Sequence, residues 1–174
     1  MPRRGRKIES ARKPVYIGVD PGLGITGYGV LEYCAGKINV LEAGCIRTNR
    51  KAAMAERIAE IYSGLNEIIE EFKPQTVIIE DLYSHYRHPK TAIIMGHARG
   101  AVYLSAANAK VPVISYGATM IKKSLTGNGR ASKLQVQRMI TSKLKLDAMP
   151  EPPDVADALA VAMCHIGHLE NGAE

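Results

Sequence analysis

Residues 15–29 read VYIGVDPGLGITGYG, and the fold is decided by this stretch and the segments that follow it. The apolar run Val15–Asp20 ends on a carboxylate and predicts a buried strand. Thr26–Tyr33 and Lys37–Arg47 predict two further strands, joined by a hairpin turn at Ala35-Gly36. The folded part of the chain is therefore expected to begin with a three-stranded meander.

Helices and strands alternate after the meander. Ala52–Phe72 carries its apolar residues on one stripe and predicts an amphipathic helix, which Pro74 ends. Val77–Glu80 is a second short apolar run that ends on a carboxylate and predicts another buried strand. The remaining predicted elements are a polar loop over Tyr83–Lys90, a helix over Thr91–Asn108, a strand over Val111–Ser115, a short helix ending near Leu125, a helix over Ser132–Leu146, a proline-rich link over Met149–Pro153 and a helix over Asp154–His168. This order predicts an α/β fold with a mixed five-stranded sheet flanked by helices.

Length and composition restrict the class of protein. The chain has 174 residues, of which 46% are hydrophobic, so we expect one compact domain with a core. No apolar run is long enough to cross a bilayer, and the basic N-terminus is not followed by the apolar segment of a secretory signal. The three cysteines are scattered without CxxC spacing, which argues against a zinc site or a disulfide framework. We expect a cytoplasmic protein with a disordered basic tail over residues 1–13, one domain over residues 14–169 and a short tail over residues 170–174.

The positive charge is concentrated in two segments. Of the net charge of +6, residues 1–13 contribute +5, from six basic residues and one acidic residue. Residues 82–146 contain eleven Lys and Arg and no Asp or Glu. A long segment with only positive charges predicts a polyanionic partner such as nucleic acid. The alternative is a solvated basic face that serves solubility.

Four carboxylates are placed where a metal site could form. Asp20 and Glu80 end apolar strands, and Asp154 and Asp157 open the last helix on one face. If the two strands are parallel neighbours, all four carboxylates meet at one edge of the sheet. Clustered carboxylates repel each other unless a cation neutralises them, and oxygen ligands select hard cations such as Mg²⁺. Two such ions can activate a water and stabilise the leaving oxygen of a phosphodiester. The four carboxylates therefore predict phosphodiester hydrolysis.

Three of these carboxylates also have simpler explanations. Asp20 precedes Pro-Gly, where an aspartate suits a turn. Asp154 suits a helix N-cap, and Asp157 would then lie in the first turn, where an acid favours the helix dipole. Glu80 is harder to explain in this way because it directly follows three β-branched residues. The group of four is therefore a stronger indication than any single member.

The same segments resemble the RuvC family of Holliday junction resolvases, from about Val15 to His168. The motifs that carry the resemblance are IGVDPG at 17–22, TGYG at 26–29, GCIRT at 44–48, IE at 79–80, GHARG at 96–100, SKLQVQ at 132–137 and DVADALA at 154–160. Each motif alone is weak, but their order and spacing together are specific. The resemblance implies an RNase H-like fold and a homodimer with two active sites. Each site would nick one of two opposed strands of a four-way DNA junction and leave 5′-phosphate and 3′-hydroxyl ends.

The resemblance also implies roles for individual residues. Asp20, Glu80, Asp154 and Asp157 are expected to bind two Mg²⁺ ions per site, with Mn²⁺ as a substitute, and Lys133 to act with them near the scissile phosphate. The residues expected to bind DNA are Tyr83, Arg87, Lys90, Lys122, Lys123, Arg130 and Lys133, with Tyr83 stacking on a base at the opened crossover. The dimer contact is expected around Gly96–Ser105. The implied partners are four-way junction DNA and a branch-migration complex of the RuvAB type.

Three alternative functions remain open from the residues. The glycines of residues 20–29 also resemble the phosphate loop of ATP-using proteins of the actin and sugar-kinase type, although those proteins need two such domains. A second alternative is a protein that binds junctions without cutting them, although all four carboxylates and Lys133 are present. A third is another RNase H-like nuclease that acts on RNA–DNA hybrids or on other branched DNA.

Overall fold

The computed structural model describes residues 13–81 and 89–172, and these ranges contain five strands and five helices. The strands are β1 (Val15–Asp20), β2 (Ile25–Cys34), β3 (Lys37–Arg47), β4 (Thr76–Glu80) and β5 (Val113–Tyr116). The helices are α1 (Met54–Phe72), α2 (Pro89–Asn108), α3 (Ala118–Thr126), α4 (Lys133–Lys143) and α5 (Pro153–Asn171). None of the helices in these ranges is long and apolar enough to span a bilayer.

The strands form a single sheet of order β3-β2-β1-β4-β5. Strands β1, β2 and β3 pair antiparallel, whereas β4 pairs parallel with both β1 and β5. The β2–β3 turn lies at Ala35 and Gly36, whose φ values of 50° and 75° match the hairpin turn that suits twisted strands. The predicted mixed five-stranded sheet flanked by helices is therefore confirmed.

Each face of the sheet is covered by its own set of helices, because side chains alternate along a strand. On one face, Tyr16 and Ile78 pack with apolar residues of α3, α4 and α5. On the other face, Ile17 and Val77 pack with residues of α1 and α2. Asp20 follows Tyr16 by four residues and Glu80 follows Ile78 by two, so both carboxylates lie on the α5 face.

Helix α5 lies directly on β1 and β2 because glycines leave room for its backbone. A Cβ atom at Gly18 would overlap the carbonyl oxygen of Ala158, and one at Gly27 would overlap that of Asp154. The first turn of α5 is thereby held against the end of β2 that lies beside Asp20. These glycines thus allow the backbone of α5 to pack directly on the sheet.

Several boundaries differ from the predicted ones. Helix α2 begins at Pro89, so the last two residues of the predicted loop are helical, and proline suits the first turn of a helix. Helix α4 ends at Lys143, three residues before the predicted end, because the chain turns at Lys145, which has a φ of 52°. Helix α5 continues to Asn171, three residues beyond the predicted end.

Candidate active site

The first two carboxylates lie side by side at the carboxyl ends of neighbouring parallel strands. In the β1–β4 pairing, Val19 is opposite Ile79, which places the next residues, Asp20 and Glu80, next to each other. Glu80 in turn pairs with Tyr116 of β5. This edge of a parallel sheet is where ligand sites commonly form.

Helix α5 brings the other two carboxylates to the same place. Its N-cap is Pro152 and its first residue is Pro153, so Asp154 is the second helical residue. The N-cap explanation of Asp154 is therefore wrong, although its charge still suits the N-terminal end of the helix dipole. Asp154 and Asp157 are three residues apart and share one face of the helix.

The four carboxylates interact electrostatically. Burial, followed by the charges of Asp157, Asp154 and Glu80, raises the pKa of Asp20 to about 7, against an opposing effect of Lys133. Burial and the charge of Asp157 also raise the pKa of Glu80. The structure thus gathers negative charges whose mutual repulsion a bound cation would relieve.

Lys133 contacts this group directly. Its Nζ lies 2.6 Å from Oδ2 of Asp157, and its side chain remains 60% exposed. Burial alone would lower the pKa of Lys133, but the hydrogen bond to Asp157 and the nearby carboxylates outweigh it and raise the pKa. Lys133 is the first residue of α4, where Ser132 and Gln135 form a reciprocal capping box that fixes the start of the helix.

A cavity of about 200 Å³ joins the acids to two lysines. Glu80 and Asp157 line it together with Lys122 of α3 and Lys133 of α4. The charge of Lys122 opposes the rise in the pKa of Glu80. Carboxylates for a cation and ammonium groups for a phosphate therefore meet at one opening.

The turn after Asp20 is held by residues that the sequence analysis did not single out. Thr48 donates its hydroxyl to the carbonyl of Leu23 at 2.6 Å. Arg57 of α1 donates to the Thr48 hydroxyl at 3.0 Å and to the same Leu23 carbonyl at 3.1 Å. The only signal for Thr48 is its place in the GCIRT motif, and nothing in the sequence distinguishes Arg57 from other charged residues of its helix.

A family model described as "Crossover junction endodeoxyribonuclease RuvC" matches residues 16–165. The RuvC protein of Rhodopirellula baltica is 46% identical over 152 residues, which are 87% of this chain and 84% of that protein. The RuvC protein of Alkaliphilus oremlandii is 44% identical over 160 residues, covering 92% of this chain and 96% of the relative. The chain belongs to the RuvC family. The predicted family and enzyme class, an endonuclease acting on phosphodiester bonds, are thereby confirmed.

Solved RuvC structures share the fold. Thermus thermophilus RuvC in complex with a Holliday junction substrate matches with a TM-score of 0.86 at 34% identity, over 91% of this chain and 96% of that one. The yeast mitochondrial Holliday junction resolvase matches with a TM-score of 0.64 at 13% identity, over 87% of this chain and 77% of that one, which shows the fold alone. The predicted RNase H-like fold is confirmed.

The DNA-binding residues expected from the RuvC resemblance are distributed unevenly. Lys122 and Lys133 line the cavity with the carboxylates. Lys90, Lys123 and Arg130 are exposed and do not line that cavity. Tyr83 and Arg87 lie outside the described residues. Among the predicted DNA contacts that the structure describes, Lys122 and Lys133 are thus the two that share a cavity with the carboxylates.

The RuvC carboxylates fit a hard divalent cation by their chemistry. All four donors are carboxylates, the group that Mg²⁺ and Mn²⁺ favour. Within residues 13–81 and 89–172, however, no three His, Cys, Asp or Glu side chains are already arranged as a metal-binding group. Asp157 is instead paired with Lys133. Metal binding therefore requires these side chains to rearrange, with Asp157 released from its pair with Lys133.

Proposed function

We propose that this chain is a Holliday junction resolvase in recombination and DNA repair: a structure-selective endonuclease that makes symmetric paired nicks in four-way DNA junctions. The products would carry 5′-phosphate and 3′-hydroxyl ends. The observation that carries the proposal is the convergence of Asp20, Glu80, Asp154 and Asp157 beside Lys133 at one edge of the sheet. The similarity to a RuvC solved with a Holliday junction substrate supports the choice of DNA.

Nucleases of the RuvC family depend on a divalent metal ion. We infer that Asp20, Glu80, Asp154 and Asp157 would hold two Mg²⁺ ions, with Mn²⁺ as a substitute. When bound, such ions supply an activated water and stabilise the leaving 3′-oxygen of a phosphodiester. The raised pKa values of Asp20 and Glu80, which arise first from burial and then from the neighbouring carboxylates, are consistent with this assignment, because a bound cation would favour the ionised form of both groups.

The lysines would act on the phosphate. The Lys133–Asp157 pair is largely exposed on the lysine side, and exposed ion pairs are weak, so Lys133 can turn toward a phosphate at little cost. Its ammonium would offset the charge that builds on the pentacoordinate phosphorus. Lys122 borders the same cavity beside Glu80 and would hold a neighbouring phosphate oxygen. Both lysines therefore serve to place the scissile group against the carboxylates.

Paired nicking requires two active sites, and we propose that α2 provides the contact of a homodimer. Ile93, Ile94, Tyr103 and Leu104 of this helix are large apolar residues with exposed fractions of 38–60%. Gly96 and Gly100 lie between them, and the space beside both is open. An apolar helix face of this kind favours a protein partner.

The test of this contact is the substitution Leu104→Arg. We expect it to yield monomers in sedimentation that still bind a junction but no longer nick it in pairs. Dimers with paired nicking would contradict the assignment.

Further features of the proposal rest on family membership and charge. Residues 82–146 carry eleven basic and no acidic residues, which suits a DNA partner. Lys90, Lys123 and Arg130 are proposed to contact the arms of the junction beyond the cavity, and Tyr83 and Arg87 its crossover. A branch-migration complex of the RuvAB type and a cytoplasmic location are proposed from membership of the RuvC family.

The decisive experiment uses a labelled four-way junction, a matching linear duplex and an RNA–DNA hybrid, each with Mg²⁺ and with EDTA. We expect paired symmetric nicks in the junction alone, and only with Mg²⁺. Asp20→Asn should bind the junction without cutting it, whereas Asp147→Asn, at an exposed position, should cut normally. Cleavage of the hybrid would favour another RNase H-like nuclease. Tight junction binding by the wild type without cleavage would favour a non-catalytic binding protein.

A further inference from the structure

Arg99 is a buried arginine that bonds to the backbone of a proposed metal ligand. It lies on α2 within the GHARG motif, and 9% of its surface is exposed. Its Nη1 donates a hydrogen bond to the carbonyl oxygen of Glu80. Two ion pairs lie within 4.0 Å in the described part of the chain, Lys13–Glu32 and Lys133–Asp157. Arg99 therefore forms no ion pair with a carboxylate of the described residues. The charge of Arg99 opposes the rise in the pKa of Glu80, but the direct contact of the guanidinium is the hydrogen bond to the backbone.

The Glu80 carbonyl needs such a donor because of Pro21. The N–H of Asp81 donates to the carbonyl of Tyr116 in β5 at 2.9 Å. Since the two groups of a trans peptide point in opposite directions, the Glu80 carbonyl points toward β1. In a parallel ladder it would accept from the residue after its neighbour Asp20, and that residue is Pro21, which has no N–H. Arg99 supplies the donor that β1 lacks at this point.

The arginine is itself held in place by its helix. Ala98 and Val102 on either side of Arg99 are buried in the core, which fixes α2 against the sheet. The Nη2 atom of Arg99 lies 3.4 Å from the hydroxyl of Tyr103, and the guanidinium lies 5.7 Å from the centre of that ring. A planar guanidinium can reach the carbonyl and the hydroxyl together, whereas a lysine ammonium would have to give up one of them.

We propose that Arg99 is a positioning residue that fixes the end of β4 and so aims the Glu80 carboxylate at the metal site. The proposal deepens the proposed function and rests on it. Groups that hold metal ligands in place commonly contribute 10- to 100-fold to metal affinity or activity, and we expect an effect of about that size from Arg99. Binding of the junction itself should not depend on Arg99.

The test measures Mn²⁺ binding to the DNA-free protein by titration calorimetry, together with junction binding in EDTA and the single-turnover cleavage rate. We expect Arg99→Met to weaken Mn²⁺ binding by about 10- to 100-fold, and Arg99→Lys, which keeps the charge, by about 10-fold. Junction binding should stay within about twofold in both variants. Arg47→Met, which removes an exposed arginine of β3, is the matched control and should behave like the wild type.

A double-mutant cycle separates positioning from a general structural role. If Arg99 acts through Glu80, Arg99→Met should have no further effect on Mn²⁺ affinity in a Glu80→Gln background. An equal loss in both backgrounds, a folded Arg99→Met protein with wild-type affinity, or an Arg99→Lys protein that does not fold would each overturn the proposal. A wild type that cuts no junction would refute the proposed function instead, while the Mn²⁺ comparison would still decide the role of Arg99.

Discussion

Asp20 is the residue at which metal binding and protein stability conflict. Burial and three neighbouring carboxylates raise its pKa from the usual 3.8 to about 7. Between these two values the folded protein keeps a proton that the unfolded chain has already released. The contribution of Asp20 to the free energy of unfolding of the metal-free protein therefore falls as the pH rises from about 4 to 7.

The size of this effect follows from the pKa difference. At about 1.4 kcal/mol per pKa unit, the rise from 3.8 to about 7 sets an upper limit of about 4 kcal/mol at pH 8. Asparagine has nearly the same shape and no charge. We expect Asp20→Asn to increase the free energy of unfolding by about 2–4 kcal/mol at pH 8, and by less than about 2 kcal/mol at pH 5, where the wild-type residue is largely protonated.

Urea denaturation in EDTA, followed by circular dichroism at pH 5 and pH 8, measures both values. Asp147→Asn removes an exposed carboxylate and should change the stability by less than about 0.5 kcal/mol at either pH. Added Mg²⁺ should stabilise the wild type more than Asp20→Asn. The reasoning is refuted if Asp20→Asn is no more stable than the wild type at pH 8, or if its gain is the same at both pH values.

Two further substitutions test the packing and the chemistry of the site. Gly27→Ala should lower the free energy of unfolding by about 1–3 kcal/mol in urea denaturation, because its Cβ would overlap the Asp154 carbonyl. The control Gly117→Ala faces open space and should change the free energy of unfolding by less than about 0.5 kcal/mol. Equal effects of the two substitutions would contradict the close approach of α5. Lys133→Met should leave the stability within about 1 kcal/mol of the wild type, because the lysine side of its ion pair with Asp157 is exposed. It should slow single-turnover cleavage at least about 100-fold. Wild-type cleavage by Lys133→Met would remove this lysine from the reaction.

The sheet and the meeting of the carboxylates could be anticipated because both depend on local pattern. A short apolar run bounded by turn residues, such as Val15–Asp20 before Pro21-Gly22, favours a buried strand, and the carboxyl ends of parallel strands share one edge. The helix ends could not be placed as well. Helix α4 ends before Lys145, which adopts a left-handed backbone conformation that is uncommon for a lysine. Helix propensity does not predict this conformation.

The supporting residues could not be found from the sequence because their partners are distant along the chain. Arg57 acts on Leu23, and Arg99 acts on Glu80. A charged residue on a helix is most often a solvated one, so only the fold shows that these two arginines turn inward. The glycines posed a similar problem: Gly27 is compatible with a phosphate loop until α5 is seen to lie against it.

The residues that break local rules are the ones that build the site. Asp20 and Glu80 place charge at the ends of buried strands, and Pro21 leaves no hydrogen-bond donor just after the central strand β1. Each of these features destabilises the metal-free protein or requires a compensating group such as Arg99. Since a sequence selected for stability alone would remove them, their concentration at one edge of the sheet indicates selection for chemistry at that edge. It follows that loss of the Asp20 or Glu80 carboxylate should increase the stability of the metal-free protein and abolish cleavage, whereas loss of a supporting residue such as Arg99 should decrease both.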